Sequence, residues 1–560
     1  MERLSGFWQN NRKKYWFSLI VCALFICALV IVCRPTFETN DDLTLANMFN
    51  RSRAGVEAWS NVSGYLYGAL LVFLYDVFPA ISWHCVVMYL ITWVSMASVS
   101  YVIQNRFRLF PALALSSALM FVYGYECLIV INFTKVSAMA AAAGVFLVFA
   151  AMMDEEKKFL WPLSGAFLIM TGYAVRINEG LGVGLSMTSG GVYLFLRLFG
   201  KEMRGRRLKM IRRYLVCLLP VVVLLGVARA SDQYAISSSP ERAVYKEYQD
   251  LRTRLMDHGF PDYDENREVF ERLNINENAW KLYKAWDYYD TEKFSADVMK
   301  ELAQVQPAGS ITKETVKGFF ELFPDRFFRN SMFLVYLGII FLLILCGRRD
   351  TSVWVTIVYQ FALLMAVELF LYSDKRFGLS RVEMGLWLGA CLTAILMLDE
   401  RAFHLEKRAG LLIMAAVLAF VQPSWSVNYR RQTTARVRKA DKKFAEVSQL
   451  TSDKDHLYIF NTGDYMAAWA YLPFETVKEG SLTNVLPLGS WCAKSAPFVK
   501  SFEAYGVTNP YRAMVENEKV LVVASNEKTI LTYLQDYYDP DCRAVKVGDV
   551  GGVGIYSFHD

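Results

Sequence analysis

The stretch YWFSLIVCALFICALVIVC (residues 15–33) runs directly into RPTFETNDD (residues 34–42). The first part is long enough, at 1.5 Å per helical residue, to cross a hydrocarbon core of ~30 Å. It follows Arg12-Lys13-Lys14 and ends at Arg34-Pro35 without a small-residue cleavage site, so it reads as a retained anchor and not a signal peptide. The second part places Glu38, Asp41 and Asp42 within five residues where the chain leaves lipid. Carboxylates at such a position are costly unless they meet water, a cation or a substrate, which marks them as a candidate site.

The remaining sequence supports a multi-spanning α-helical membrane protein. Of 560 residues 54% are hydrophobic and 15% aromatic, too apolar for an ordinary soluble chain. The net charge of +6 is small for this length, and its basic residues gather in short loops between apolar runs. That pattern argues for membrane topology and against nucleic-acid binding. Runs of spanning length occur near 15–33, 82–103, 109–126, 133–152, 159–177, 181–199, 213–230, 331–346, 352–372, 382–398 and 409–422, about 11 spans.

The stretch 64–78 is apolar but contains Asp76 and precedes Pro79. Loop charge decides its placement. Loops 104–108, 153–158, 201–213, 347–350 and 399–408 carry sixteen Lys or Arg, whereas the opposite short loops hold only Lys135, Arg176, Lys375, Arg376 and Arg381. With positive residues inside, 64–78 lies against the outer face without spanning, the amino terminus is cytoplasmic and the carboxy terminus is extracytoplasmic. The expected organisation is a membrane core over 1–230 with its first outer loop at 34–81, a helical extracytoplasmic insert over 231–330, remaining spans over 331–421, and an extracytoplasmic domain over 422–560. Short apolar runs alternating with turn residues and helical patterns give that tail a small α/β character. Asn461-Thr462-Gly463-Asp464 reads as a strand-to-helix turn, but no phosphate-binding glycine fingerprint accompanies it, and the tail receives no catalytic role.

Most cysteines fall singly in or beside apolar runs and read as small buried hydrophobes. Cys492 and Cys542 share the tail, where a disulfide and an unpaired pair are both open. The aromatic stripe from Trp280 to Tyr289 in the insert reads first as core, with a glycan-stacking surface as the alternative. Val316–Phe328, rich in Phe, has the pattern of an interfacial helix. The five histidines are scattered without metal or triad spacing, which leaves zinc and hydrolase chemistry unsupported.

Asp41 and Asp42, being adjacent, cannot both point the same way. One acid would suffice to cap a helix starting near Leu43; the surplus favours function. Any one of Lys135, Arg176, Lys375, Arg376 and Arg381 could snorkel to lipid headgroups. Together, on the face that otherwise excludes positive charge, they suit a phosphate or pyrophosphate, which arginine binds bidentately.

Four local patterns resemble the GT-C superfamily of polyprenyl-phosphate-sugar-dependent glycosyltransferases, in an uncharacterised bacterial branch. They are Phe37-Glu38-Thr39-Asn40-Asp41-Asp42, Phe78-Pro79-Ala80-Ile81-Ser82-Trp83, Asn132-Phe133-Thr134-Lys135 and Tyr173-Ala174-Val175-Arg176. The resemblance covers the first 230 residues, the 331–420 region loosely, and the two outer domains hardly at all. It implies sugar transfer from a polyprenyl-phosphate donor to an envelope glycan or lipid-linked acceptor at the extracytoplasmic face of the plasma membrane, with inversion. It also implies catalytic roles for Asp41, Asp42 and Glu38, one acting as general base, and a donor phosphate bound by Lys135, Arg176, Arg376 and Arg381. No cofactor is certain. A divalent cation, Mg or Mn, would rest on Asp41 and Asp42, although metal-using relatives separate their two acids by one residue. A polysaccharide or lipid transporter (a flippase) and a non-enzymatic envelope assembly subunit are the competing readings. The first predicts paired repeats and charges at mid-bilayer depth, and the sequence has neither, apart from isolated residues such as Glu368.

Overall fold

The computed structural model describes residues 11–154, 160–200, 203–257, 259–307, 311–346, 350–398, 442, 445–468 and 472–558. Each apolar run except 409–422, which lies outside the described residues, coincides with a helix. Among the described residues, seven helices are long and apolar enough to cross a membrane, or eight if a bent pair is one span. This is a multi-pass membrane protein. Leu160–Val175 is apolar but shorter, and Glu179–Phe199 has the length. Both pack on the central helix Phe133–Met153. The bent pair joins Lys313–Phe327 to Ser331–Ile344 at 81°, so the Phe-rich segment turns sharply away from the span that follows it.

The stretch 64–78 forms the helix Tyr65–Val77. Its 13 residues reach about 20 Å, short of a hydrocarbon core. It is tied down by the buried Asp232, which accepts from the backbone N–H of Tyr65 at 2.7 Å and from the Tyr173 hydroxyl at 2.8 Å. Asp232 belongs to Arg207–Ser237, a 31-residue helix of about 46 Å that runs past the bundle and leads into the insert.

The insert is helical, with Pro240–Asp257, Arg267–Arg272, Glu277–Lys284 and Ala296–Gln304 preceding the Phe-rich segment. Its aromatic stripe is core: Trp280, Tyr283, Tyr288 and Tyr289 are all buried, and Trp280 stacks on Tyr283 at 5.0 Å. The tail carries a sheet of five strands, β3 Leu457–Phe460, β4 Val485–Pro487, β5 Val520–Ala524, β6 Val545–Val550 and β7 Val553–Ser557. Their order is β4-β3-β5-β7-β6, parallel across the first three and antiparallel thereafter. Gly551 and Gly552, with φ of 58° and 80°, make the two-residue turn between β6 and β7 that side chains would strain.

Insert and tail share one interior. Asp287 of the insert accepts from the Thr462 backbone N–H at 2.8 Å and from the Asn461 amide, so it closes the turn that follows β3. Asp290 accepts from the hydroxyls of Tyr533 at 2.7 Å and Tyr538 at 2.6 Å and from Asn509 at 3.1 Å. Cys492 and Cys542 are buried free thiols.

Candidate functional site

Two short strands build the site. β1 (Thr36–Phe37) pairs in parallel with β2 (Val130–Ile131), and the Glu38 N–H donates to the Ile131 carbonyl at 2.8 Å. This pairing sets the first-loop acids against the start of the helix Phe133–Met153. The short helix Asp41–Phe49 begins immediately afterwards, so its first two residues diverge around the helix axis.

Asp42 turns inward and has no exposed surface. Its Oδ1 accepts from the Phe133 N–H at 2.9 Å and lies 3.2 Å from His84 Nε2, while Oδ2 accepts from Asn132 Nδ2 at 3.3 Å. His84 in turn meets the Tyr67 hydroxyl at 3.1 Å through Nδ1. Burial pushes the Asp42 carboxyl above the usual carboxylate range, and His84 and the Phe133 N–H partly offset this. Asp42 caps the central helix and locks it to the first loop.

Asp41 turns the other way and is half-buried. Its Oδ2 accepts from the Thr39 hydroxyl at 3.2 Å, and its Oδ1 accepts from the indole N–H of Trp491 at 3.1 Å. Trp491 comes from the tail, 450 residues further along the chain. Neither Trp491 nor His84 was marked by any motif or spacing in the sequence; each acquires its position only through the tertiary fold.

Glu38 is the junction of the basic groups. Its carboxylate lies 2.9 Å from Lys135 Nζ and 4.0 Å from Arg381, and it accepts from the Ser380 hydroxyl at 3.2 Å. Lys135 is buried and also meets Glu126 at 2.5 Å and the Val130 carbonyl at 3.2 Å. Two acids therefore face two bases, which leaves Lys135 fully engaged and Arg381, among the described residues, held by one long contact. Arg176 follows the helix Leu160–Val175 and lies over the Phe133 ring at 4.9 Å. Arg376 is placed elsewhere, against Asp374 at 3.0 Å and Asp257 of the insert at 3.9 Å. Lys375 is exposed, with a φ of 57°. The structure thus gathers Lys135 and Arg381 on Glu38, sets Arg176 beside Phe133, and pairs Arg376 with the insert.

A cation bridged between Asp41 and Asp42 does not fit this arrangement, because N–H donors already occupy both Asp42 oxygens and the two carboxylates diverge. Among the described residues, no three His, Cys, Asp or Glu side chains converge as a metal shell.

No protein-family model matches the chain, and no curated protein matches it by sequence. Among solved structures it is similar to ArnT from Cupriavidus metallidurans in the apo state. That match has 11% identity over 98% of this chain and 98% of that one, at a TM-score of 0.46. It is also similar to ArnT bound to undecaprenyl phosphate, with 10% identity over 96% and 97% of the two chains and a TM-score of 0.41. A third similarity is to the oligosaccharyltransferase of Archaeoglobus fulgidus in complex with Zn and sulfate, with 10% identity over 97% and 73% and a TM-score of 0.44.

Proposed function

We propose that this protein is a GT-C glycosyltransferase that moves a sugar from a polyprenyl-phosphate donor to an envelope glycan or lipid-linked acceptor on the extracytoplasmic face. What supports the reading most is the meeting of two motifs some 90 residues apart: Asp42 caps Phe133, and Glu38 pairs with Lys135. The motif at Arg176 adjoins them through Phe133.

In this reading Asp41 is the general base. It takes the proton of an acceptor hydroxyl, the hydroxyl oxygen attacks the anomeric carbon, and the bond from that carbon to the phosphate oxygen breaks with inversion. The polyprenyl phosphate leaves with its charge stabilised by Arg381 and Arg176, while Lys135 acts within its ion-paired cluster. Asp42 and Glu38 position the base and the basic groups without touching the acceptor.

Asp41→Asn, correctly inserted and folded, is expected to lower transfer by about 10²–10⁴-fold, the usual contribution of a positioned general base. Profiling the cell-surface glycan checks this, and an unchanged glycan in that variant overturns the enzymatic reading. Sidedness has a separate test at exposed Lys528. With the natural tail thiols buried, Lys528→Cys should react with an impermeant thiol reagent on intact cells; labelling only after permeabilisation reverses the topology.

A further inference from the structure

Among the described residues Arg53 stands apart from the other buried lysine and arginine side chains. Lys135 has Glu38 and Glu126, and Arg252 has Asp257 at 3.8 Å. Arg53 is only 3% exposed, yet among the described residues no carboxylate lies within 4 Å of it. It donates to the carbonyls of Leu482 at 3.1 Å and Val485 at 3.0 Å and to the Tyr465 hydroxyl at 2.5 Å. Its guanidinium lies over the Phe498 ring at 4.3 Å. Among the described residues its buried Nε–H has no acceptor. A buried, uncompensated positive charge with a spare donor is expensive to maintain and is an attractive partner for an anion.

Arg53 lines a narrow cleft between the helix Asp41–Phe49 and the tail, part of it open to solvent, with room for about one oxygen-sized group. Its polar walls are neutral: Asn40, Thr44 and Asn47 on one side, Tyr465 and Ser490 on the other. The cleft adjoins the base on both sides, since Asn40 precedes Asp41 and Ser490 precedes Trp491, whose indole meets Asp41. Asn40 and Met466 line this cleft in contact with each other, and the thioether of Met466 is a flexible side chain.

We infer that this cleft is an anion subsite for the acceptor, in which a carboxylate or phosphate group seats on Arg53 while a neighbouring hydroxyl is presented to Asp41. The inference rests on the glycosyl-transfer reading and narrows it, because the acceptor must carry a compact oxyanion close to the hydroxyl that is glycosylated. Neutral amides and hydroxyls around the arginine suit this, since an acid in the wall would compete with the ligand. A sugar carboxylate and a lipid phosphate share the required chemistry.

The test uses the purified full-length protein and two probes, D-glucuronate for the sugar carboxylate and glycerol 3-phosphate for the lipid phosphate. Thermal unfolding is followed as each is titrated, since a ligand that binds only the folded state raises the midpoint with saturation. At least one probe is expected to stabilise the wild type, and the one that does identifies the source of the anion. Apparent affinity should fall at least tenfold in Arg53→Gln and in Thr44→Glu, which places a carboxylate in the cleft from a half-buried helix position. Lys528→Cys, on the exposed tail surface, should bind the probe as the wild type does. If Arg53→Gln fails to fold, Thr44→Glu decides. No saturable shift with either probe, or an undiminished shift in Thr44→Glu, overturns the subsite. An unchanged surface glycan in Asp41→Asn would instead overturn the transfer reading, so the two failures are separately visible.

Discussion

Asp42 and Asp41 are neighbours with opposite fates, and their substitutions should differ accordingly. Asp42→Ala strips acceptors from the Phe133 N–H and Asn132 in a buried setting, and each orphaned group costs about 1–3 kcal/mol. A clear drop in unfolding midpoint is expected for Asp42→Ala, against a small change for Asp41→Ala, whose carboxylate is half-buried and held by two side chains. Equal losses in the two variants would contradict the assignment of Asp42 to scaffold. The divergence of the two acids was legible in the sequence, because adjacent helical residues cannot share a direction. Which one turns inward was not, because it depends on the pairing of Thr36–Phe37 with Val130–Ile131, strands of two residues that no periodicity reveals. Arg376 illustrates the same limit. Its position before a span was readable, but its partner Asp257 lies in the insert, far away in sequence.

Helices were the most legible level, since lipid leaves backbone polar groups no partner except the helix itself and so demands long apolar runs. How the helices cross is set by smaller features. Phe133–Met153 and Leu160–Val175 touch at Gly144 and Gly165: a Cβ on Gly144 would stand 2.5 Å from the Gly165 carbonyl oxygen, and one on Gly165 2.7 Å from that of Gly144. Such close approach is the usual means by which membrane helices gain packing contact. Gly144→Val should force the pair apart at a cost of about 1–3 kcal/mol, measured as a lower unfolding midpoint in detergent. Because one helix begins at Phe133 and Lys135 and the other ends beside Arg176, transfer should fall as well. A variant with normal stability would show that the crossing tolerates added volume.

Across the whole molecule, insert and tail behave as a unit although the helices Ser331–Cys346, Thr351–Ser373 and Ser380–Met397 separate them in the chain. A short α/β tail was readable from alternating runs and turns, but its completion by Asp287, Tyr288 and Asp290 was not, because those contacts span more than 170 residues. Burial pushes the Asp287 carboxyl up to about 7, with Asp464 adding to the rise and the Thr462 bonds opposing it. The folded state therefore keeps this proton while the unfolded chain releases it near pH 4, and stability falls as pH rises from about 4 to about 7. Asp287→Asn should remove that part of the slope, measured as the difference between the two proteins' unfolding midpoints across the range; parallel curves would refute it. The pairing of Asp290 with Asn509, 219 residues apart, also has a consequence for biosynthesis. At ~5–20 residues per second, the ribosome needs about 10–40 s to pass from one partner to the other. During that interval the insert is out with its tyrosines and acids unmatched, so a nascent chain of this protein should depend on a holding chaperone until its last hundred residues arrive.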